Sequence, residues 1–123
     1  MIFLKKAIVS GANGFVGSAL VKELLKHNIF VIALGRNDHF DRLPKNNSLR
    51  CVSAELSNIT NLKEIVLDRD IDTFYHFAWA GSAGTARADT ALQLQNAQWT
   101  VDSMRAAKEI GCRGGFQGWK TPA

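Results

Sequence analysis

Gly11, Gly14 and Gly17 recur at every third position in the segment Ser10-Gly11-Ala12-Asn13-Gly14-Phe15-Val16-Gly17. Residues 5–10 before them end in a β-rich apolar run, which reads as a strand buried on both faces. From Phe15 onward the apolar spacing changes to threes and fours, which reads as a helix. A glycine loop in that context binds phosphate for stated physical reasons. Gly11 lets the chain turn sharply out of the strand, Gly14 lets backbone approach a pyrophosphate, and Gly17 lets the helix pack on the sheet. The unpaired N–H groups and the dipole at the helix start then favour negative charge. Asn13 stands where the commoner fingerprint has its second glycine. The alternative reading is a glycine-rich turn without a ligand, and the strand before and helix after speak against it.

A second group follows the apolar run at residues 29–34, where the chain reads Gly35-Arg36-Asn37-Asp38. At the end of a second strand a carboxylate accepts hydrogen bonds from an adenosine ribose, whereas an arginine can hold a 2′-phosphate. Arg36, with Asn37 beside it, therefore favours NADP over NAD; the other reading of Arg36 is a solvated loop charge. Asp38 stands two residues further into the loop. His76, inside a later apolar run, reads as a core or cofactor-adjacent residue and not as a base. Trp79 after that run is either packing or a wall on the nicotinamide or substrate side. Cys51 and Cys112 lack the short spacing of a metal or redox pair and read as thiols of a reducing compartment.

The elements that would position these residues alternate. Val16, Ala19, Leu20, Val21 and Leu24 form the apolar face of the first helix, opposite Lys22, Glu23 and Lys26, and Asn28 closes it in a left-handed conformation. Residues 29–34 read as a second strand and 37–48 as a polar loop. Residues 49–54 read as a third strand. Asn61 and Glu64 form a capping box for a second helix with Leu62, Ile65 and Val66. Residues 73–77 read as a fourth strand. A long helix follows, with an apolar stripe of Leu94, Ala97, Val101 and Met104. This strand–helix alternation implies an α/β, Rossmann-type parallel sheet with helices on both faces.

Val9-Ser10-Gly11-Ala12-Asn13-Gly14-Phe15-Val16-Gly17 resembles the opening of the extended short-chain dehydrogenases, the NAD(P)-dependent sugar epimerases and dehydratases. The resemblance runs through residues 5–112. Residues 71–80, Ile-Asp-Thr-Phe-Tyr-His-Phe-Ala-Trp-Ala, are similar to that family's fourth strand, whose end lies beside the cofactor. Asn96 and the helix to Ile110 match the long helix that comes next, including its Asn near the start. The family's Asp-Leu pair bordering the adenine is here Glu55-Leu56, which keeps the acceptor and shifts its reach. Trp79 replaces a small residue. The resemblance thus implies cofactor-binding roles for Gly11, Asn13, Gly14, Phe15, Val16, Gly17, Arg36, Asn37, Glu55, Leu56, Phe77, Ala78, Trp79, Ala80 and Asn96. It assigns no metal ligand.

The family's chemistry also needs a Tyr with a Lys four residues later, the Lys lowering the Tyr pKa so that phenolate removes a hydroxyl proton. The sequence has one tyrosine, Tyr75, and Trp79 stands four residues on. No catalytic residue is assigned. After Gly111-Cys112-Arg113 the rhythm breaks: four of the ten glycines lie in the last thirteen residues, without a β-branched run. That tail does not read as a strand. Residues 1–113 are therefore expected to form a partial NAD(P)-binding Rossmann domain, and 114–123 an aberrant or disordered tail read out of frame. The sheet would be incomplete, ordered 3-2-1-4, with its fourth strand an open edge prone to self-association.

Composition narrows the partners. The net charge is +4, and Arg113 and Lys120 supply two of those charges without a nearby acid. No basic cluster suits nucleic acid, and no stretch approaches the roughly eighteen apolar residues of a membrane span. The first residues, with apolar side chains ahead of Lys5 and Lys6, are unlike a secretory signal; a cytoplasmic protein is expected. The function implied is an NAD(P)-binding N-terminal fragment of an epimerase/dehydratase-type oxidoreductase, inactive alone, with a nucleotide-sugar substrate only in a full-length form. The alternative is a non-catalytic dinucleotide-sensing module that pairs with a partner chain through the open edge. The glycine spacing and Arg36 speak against a methyltransferase-type Rossmann protein.

Overall fold

The first strand, β1 (Lys6–Ser10), sits in the middle of the sheet because both of its faces are apolar. The computed structural model describes residues 5–36, 40–80, 84–112 and 115–118. In β1, Ala7 and Val9 point to one side and Ile8 to the other; in β2 (Phe30–Gly35), Val31 and Ala33 oppose Ile32 and Leu34 in the same way. This alternation lets near-continuous apolar strands be buried on both faces. Helix α1 (Phe15–Lys26) covers the Val9 side through Val21 and Leu24. The short α2 (Leu62–Ile65) and the long α3 (Thr90–Glu109) cover the Ile8 side, where Leu62, Val66, Ala106, Ala107 and Ile110 join Phe74.

Strands β3 (Leu49–Ser53) and β4 (Thr73–His76) complete the expected parallel order β3-β2-β1-β4. A fifth strand, β5 (Gly115–Gly118), pairs parallel with β4, Thr73 opposite Gly115 and His76 opposite Gly118. The expectation that this glycine-rich stretch is no strand, and that β4 is an open edge, is corrected. Ladder bonds come from backbone N–H and C=O groups, which glycine supplies as well as any residue. A four-residue edge pairing needs no β-branched run. The rest of the tail, residues 113–114 and 119–123, lies outside the described residues.

Three local readings fare differently. Asn28 has φ 60°, and Ile29 N–H donates to the Leu24 carbonyl at 3.1 Å, closing α1 as its sequence predicts. The Asn61–Glu64 capping box does not form. A 3-10 turn (Leu56–Asn61) runs directly into α2, and Asn61 caps nothing with its side chain. The third concerns which face of each helix is inward. On α1, Gly17, Ser18, Val21 and Leu24 are buried while Val16 is exposed. On α3 the predicted stripe points away from the sheet: Leu94 is 67% exposed, Val101 42% and Met104 52%. The inward face is Asn96, Ser103, Ala106 and Ala107. Small residues let the helix lie close on the sheet, and the buried polar ones have partners. The Ser103 hydroxyl, for instance, donates to the Trp99 carbonyl at 2.7 Å.

At the amino-terminal end of the sheet, Lys6 donates to Asp68 at 3.3 Å and Asp70 at 3.0 Å, and Arg50 of β3 also pairs with Asp68. The opposite end, where the parallel strands finish, carries the glycine loop.

Candidate dinucleotide-binding site

Gly11 leaves β1 with φ +65°. A Cβ there would lie 2.7 Å from the Ala78 nitrogen and the Phe77 carbonyl carbon, so the loop after β1 touches the backbone leaving β4. A Cβ on Gly17 would stand 2.1 Å from the Gly11 oxygen, which only glycine avoids. Gly14 accepts from Ser18 N–H at 2.9 Å and serves as the N-cap of α1 in extended backbone, with no side chain capping the helix and no acid in its first turn. The first-turn N–H groups of Phe15, Val16 and Gly17 lack intrahelical acceptors by helix geometry. Backbone N–H groups, with no capping side chain, thus face this end of the sheet, an arrangement that suits an anion. Each of the three glycines that the sequence spacing marks has backbone of this loop or of the β4 exit close to where a Cβ would stand.

Asn13 does something else with its side chain. Its Nδ2 donates to Asp41 Oδ1 at 2.8 Å, and its Oδ1 accepts the Arg42 N–H at 2.8 Å. The residue in place of a fingerprint glycine ties the loop to the segment after β2. Ala12 N–H adds a bond to the Leu34 carbonyl at 3.2 Å. Arg36 is exposed directly after β2; Asn37 lies outside the described residues. Beyond β3, Ala54 N–H donates to the Gly35 carbonyl at 2.9 Å, which brings Glu55 and Leu56, both half-buried, alongside the end of β2. The hydroxyl of Ser57 donates to Glu55 at 3.5 Å.

The segment after β4 is pinned from α3. Buried Asn96 takes both backbone groups of Ala80: its Oδ1 accepts the N–H at 2.9 Å and its Nδ2 donates to the carbonyl at 2.7 Å. Trp79 Nε1 donates to Gln93 Oε1 at 2.9 Å, and Gln93 Nε2 donates to the Ala86 carbonyl at 3.0 Å. The structure therefore gathers Gly11–Gly17, Arg36 and residues 77–80 at the carboxyl ends of β1, β2 and β4, with Glu55 and Leu56 beside them. Ligands of open α/β sheets bind at that edge. Gln93 and Ser10 were not singled out from sequence. A serine immediately before Gly11, inside an apolar strand, was the available signal for Ser10; Gln93 lies three residues before Asn96 on one helix face.

His76 is fully buried, and burial depresses its pKa to about 4, so the ring is neutral. Its Nδ1 lies 2.7 Å from Ser10 Oγ. Among the described residues no three His, Cys, Asp or Glu side chains are placed to hold a metal ion, and no helix is long and apolar enough to cross a membrane.

A parallel sheet with a glycine-rich loop between β1 and α1 at its carboxyl edge defines a Rossmann-type fold. The sequence profile of the NAD dependent epimerase/dehydratase family matches residues 7–117. The chain belongs to that family. It is 36% identical over 74 residues to CDP-abequose synthase of Salmonella typhimurium, an alignment covering 59% of this chain and 23% of that protein. The epimerase Mth375 of Methanothermobacter thermautotrophicus shares the fold, with TM-score 0.75 at 24% identity over 89% of this chain and 33% of that one. MoeE5 in complex with UDP-glucuronic acid and NAD is similar at 27% identity and TM-score 0.66, covering 87% of this chain and 33% of its own. The chain spans about a third of the length of these structures and less of the synthase.

Proposed function

We propose that this chain is the NAD(P)-binding N-terminal portion of an epimerase/dehydratase-type oxidoreductase acting on a nucleotide sugar, and that it catalyses nothing alone. The observation carrying the reading is the cradle in which Gly11, Gly14 and Gly17 present the uncapped start of α1 beside residues 77–80. A pyrophosphate fits such a site because backbone N–H groups supply its donors and the first turn of α1 carries no acid. Glu55 and Leu56 would border the adenine. Phe77, Ala78 and Trp79 would lie toward the nicotinamide. When bound, the cofactor would supply hydride acceptance and donation; the chain's own residues would bind and orient it. Inactivity is proposed because Tyr75 lies in β4 with Trp79, not a lysine, four residues on. The short coverage of its relatives supports the reading as a portion.

Arg36 supports NADP over NAD, since it is exposed where the second strand ends and can meet a 2′-phosphate. Isothermal titration with NADP, NAD and S-adenosylmethionine tests the reading. Tighter binding of NADP is expected, with the difference erased in R36A. No binding of either dinucleotide, or binding of S-adenosylmethionine instead, would overturn it.

A further inference from the structure

Ser10, the last residue of β1, is a buried polar side chain to which no catalytic or cofactor role has been given. Its hydroxyl oxygen accepts two backbone N–H groups from the chain leaving β4, Ala78 at 3.3 Å and Phe77 at 3.2 Å, the latter shared with the Ser10 carbonyl at 3.1 Å. A hydroxyl has two lone pairs and one hydrogen. With both lone pairs engaged, the hydrogen is left for His76 Nδ1 at 2.7 Å. This arrangement suits a bare Nδ1, with the ring proton on Nε2. That nitrogen faces Thr100 Oγ1 of α3 at 3.5 Å, while the Thr100 hydroxyl donates to the Asn96 carbonyl at 3.0 Å. Every donor in this chain of groups has an acceptor, and one tautomer satisfies it throughout.

We infer that Ser10 and His76 are positioning residues for the dinucleotide: their hydrogen bond, with the two amide bonds to Ser10, clamps the phosphate loop to the segment that borders the cofactor. Ser10 precedes Gly11, whose Cα comes so close to the Phe77–Ala78 peptide that a Cβ would clash with it. The clamp therefore acts where the two loops touch. Ser10 is 2% exposed and His76 1%, so neither contacts a ligand in the cradle directly. The burial of His76 keeps it in the neutral form that can accept from the hydroxyl. The inference rests on the dinucleotide reading above.

Two measurements test it. Nitrogen-15 NMR of the imidazole in the full chain near neutral pH should show the Nε2–H tautomer. A proton on Nδ1, or a charged ring, would overturn the clamp whatever the chain binds. Titration with NAD and NADP should then show wild type binding, S10A weakened about tenfold, and S10T restored. H76Q, whose amide can still accept from Ser10, should lose less than H76L, with circular dichroism and melting temperature confirming that each variant folds. Should S10A or H76L fail to fold, the S10T and H76Q affinities against wild type decide, and values beyond the tenfold loss for both would sink the inference. Equal affinities for folded S10A and wild type would remove the positioning role and leave the dinucleotide reading intact. Wild type that binds neither dinucleotide removes both.

Discussion

Gly17 is the residue with least freedom in the site. Its hypothetical Cβ would meet the Gly11 oxygen at 2.1 Å, and that oxygen belongs to backbone. G17A should therefore destabilise the fold by about 1–3 kcal/mol, as overpacking does, and abolish cofactor binding; a melting temperature and titration matching wild type would refute this. His76 provides a second test with a defined sign. Its folded pKa of about 4 lies below the 6.5 of an unperturbed histidine. Between those values the unfolded chain takes up a proton that the native ring refuses, so stability falls as pH drops from 6.5 toward 4 and is undiminished above 6.5. The loss should reach about 3 kcal/mol, read from urea midpoints, and H76Q should lack that part of the slope. The glycines were legible because each acts through its own missing Cβ. Ser10 and Gln93 were not, because their roles depend on partners that only the fold brings near.

Among the elements, β1 and β2 were legible because both faces are buried and the apolar runs are continuous. Helix α3 shows where such reading stops. Its two faces repeat with the same period, one as Leu94, Ala97, Val101 and Met104, the other as Asn96, Ser103, Ala106 and Ala107. Hydrophobicity favours the first; closeness to the sheet and the Asn96 bonds to Ala80 select the second. Replacing Leu94 or Met104 with lysine should change stability by less than about 0.5 kcal/mol. A107L should cost about 1–3 kcal/mol by overpacking. Denaturant midpoints compare them, and a large loss in L94K would show that the stripe is buried after all. The capping box failed for a related reason: the 3-10 turn before α2 leaves no free helix start at Asn61.

Over the whole molecule, the two ends of the sheet carry separate work. The ion network of Lys6, Arg50, Asp68 and Asp70 holds the amino ends. Burial of Asp68 opposes ionisation, but the hydrogen bonds from Arg50 and Lys6 outweigh it and hold the carboxyl below its ordinary value. That contribution is present above the ordinary carboxylate pKa and is lost as pH falls through the lowered one. K6M should cost about 1 kcal/mol at neutral pH, with the gap to wild type closing in acid and cofactor affinity unchanged; a constant gap would count against the network. The parallel sheet could be read from strand–helix alternation and its order β3-β2-β1-β4 from the Rossmann-type resemblance, whereas β5 could not, because its glycine-rich residues carry no strand-like composition.

On the proposed reading the donors to the phosphate are the peptide N–H groups of Phe15, Val16 and Gly17, and these neither gain nor lose a proton across the range in which proteins are handled. An enzyme that grips a phosphate with lysine loosens its hold in alkali as the ammonium discharges, from about pH 10 upward. This cradle should not. Dinucleotide affinity measured from neutrality into that alkaline range should stay level while the protein remains folded, and a decline tracking an ammonium titration would mean that a side chain, not the main chain, carries the anion.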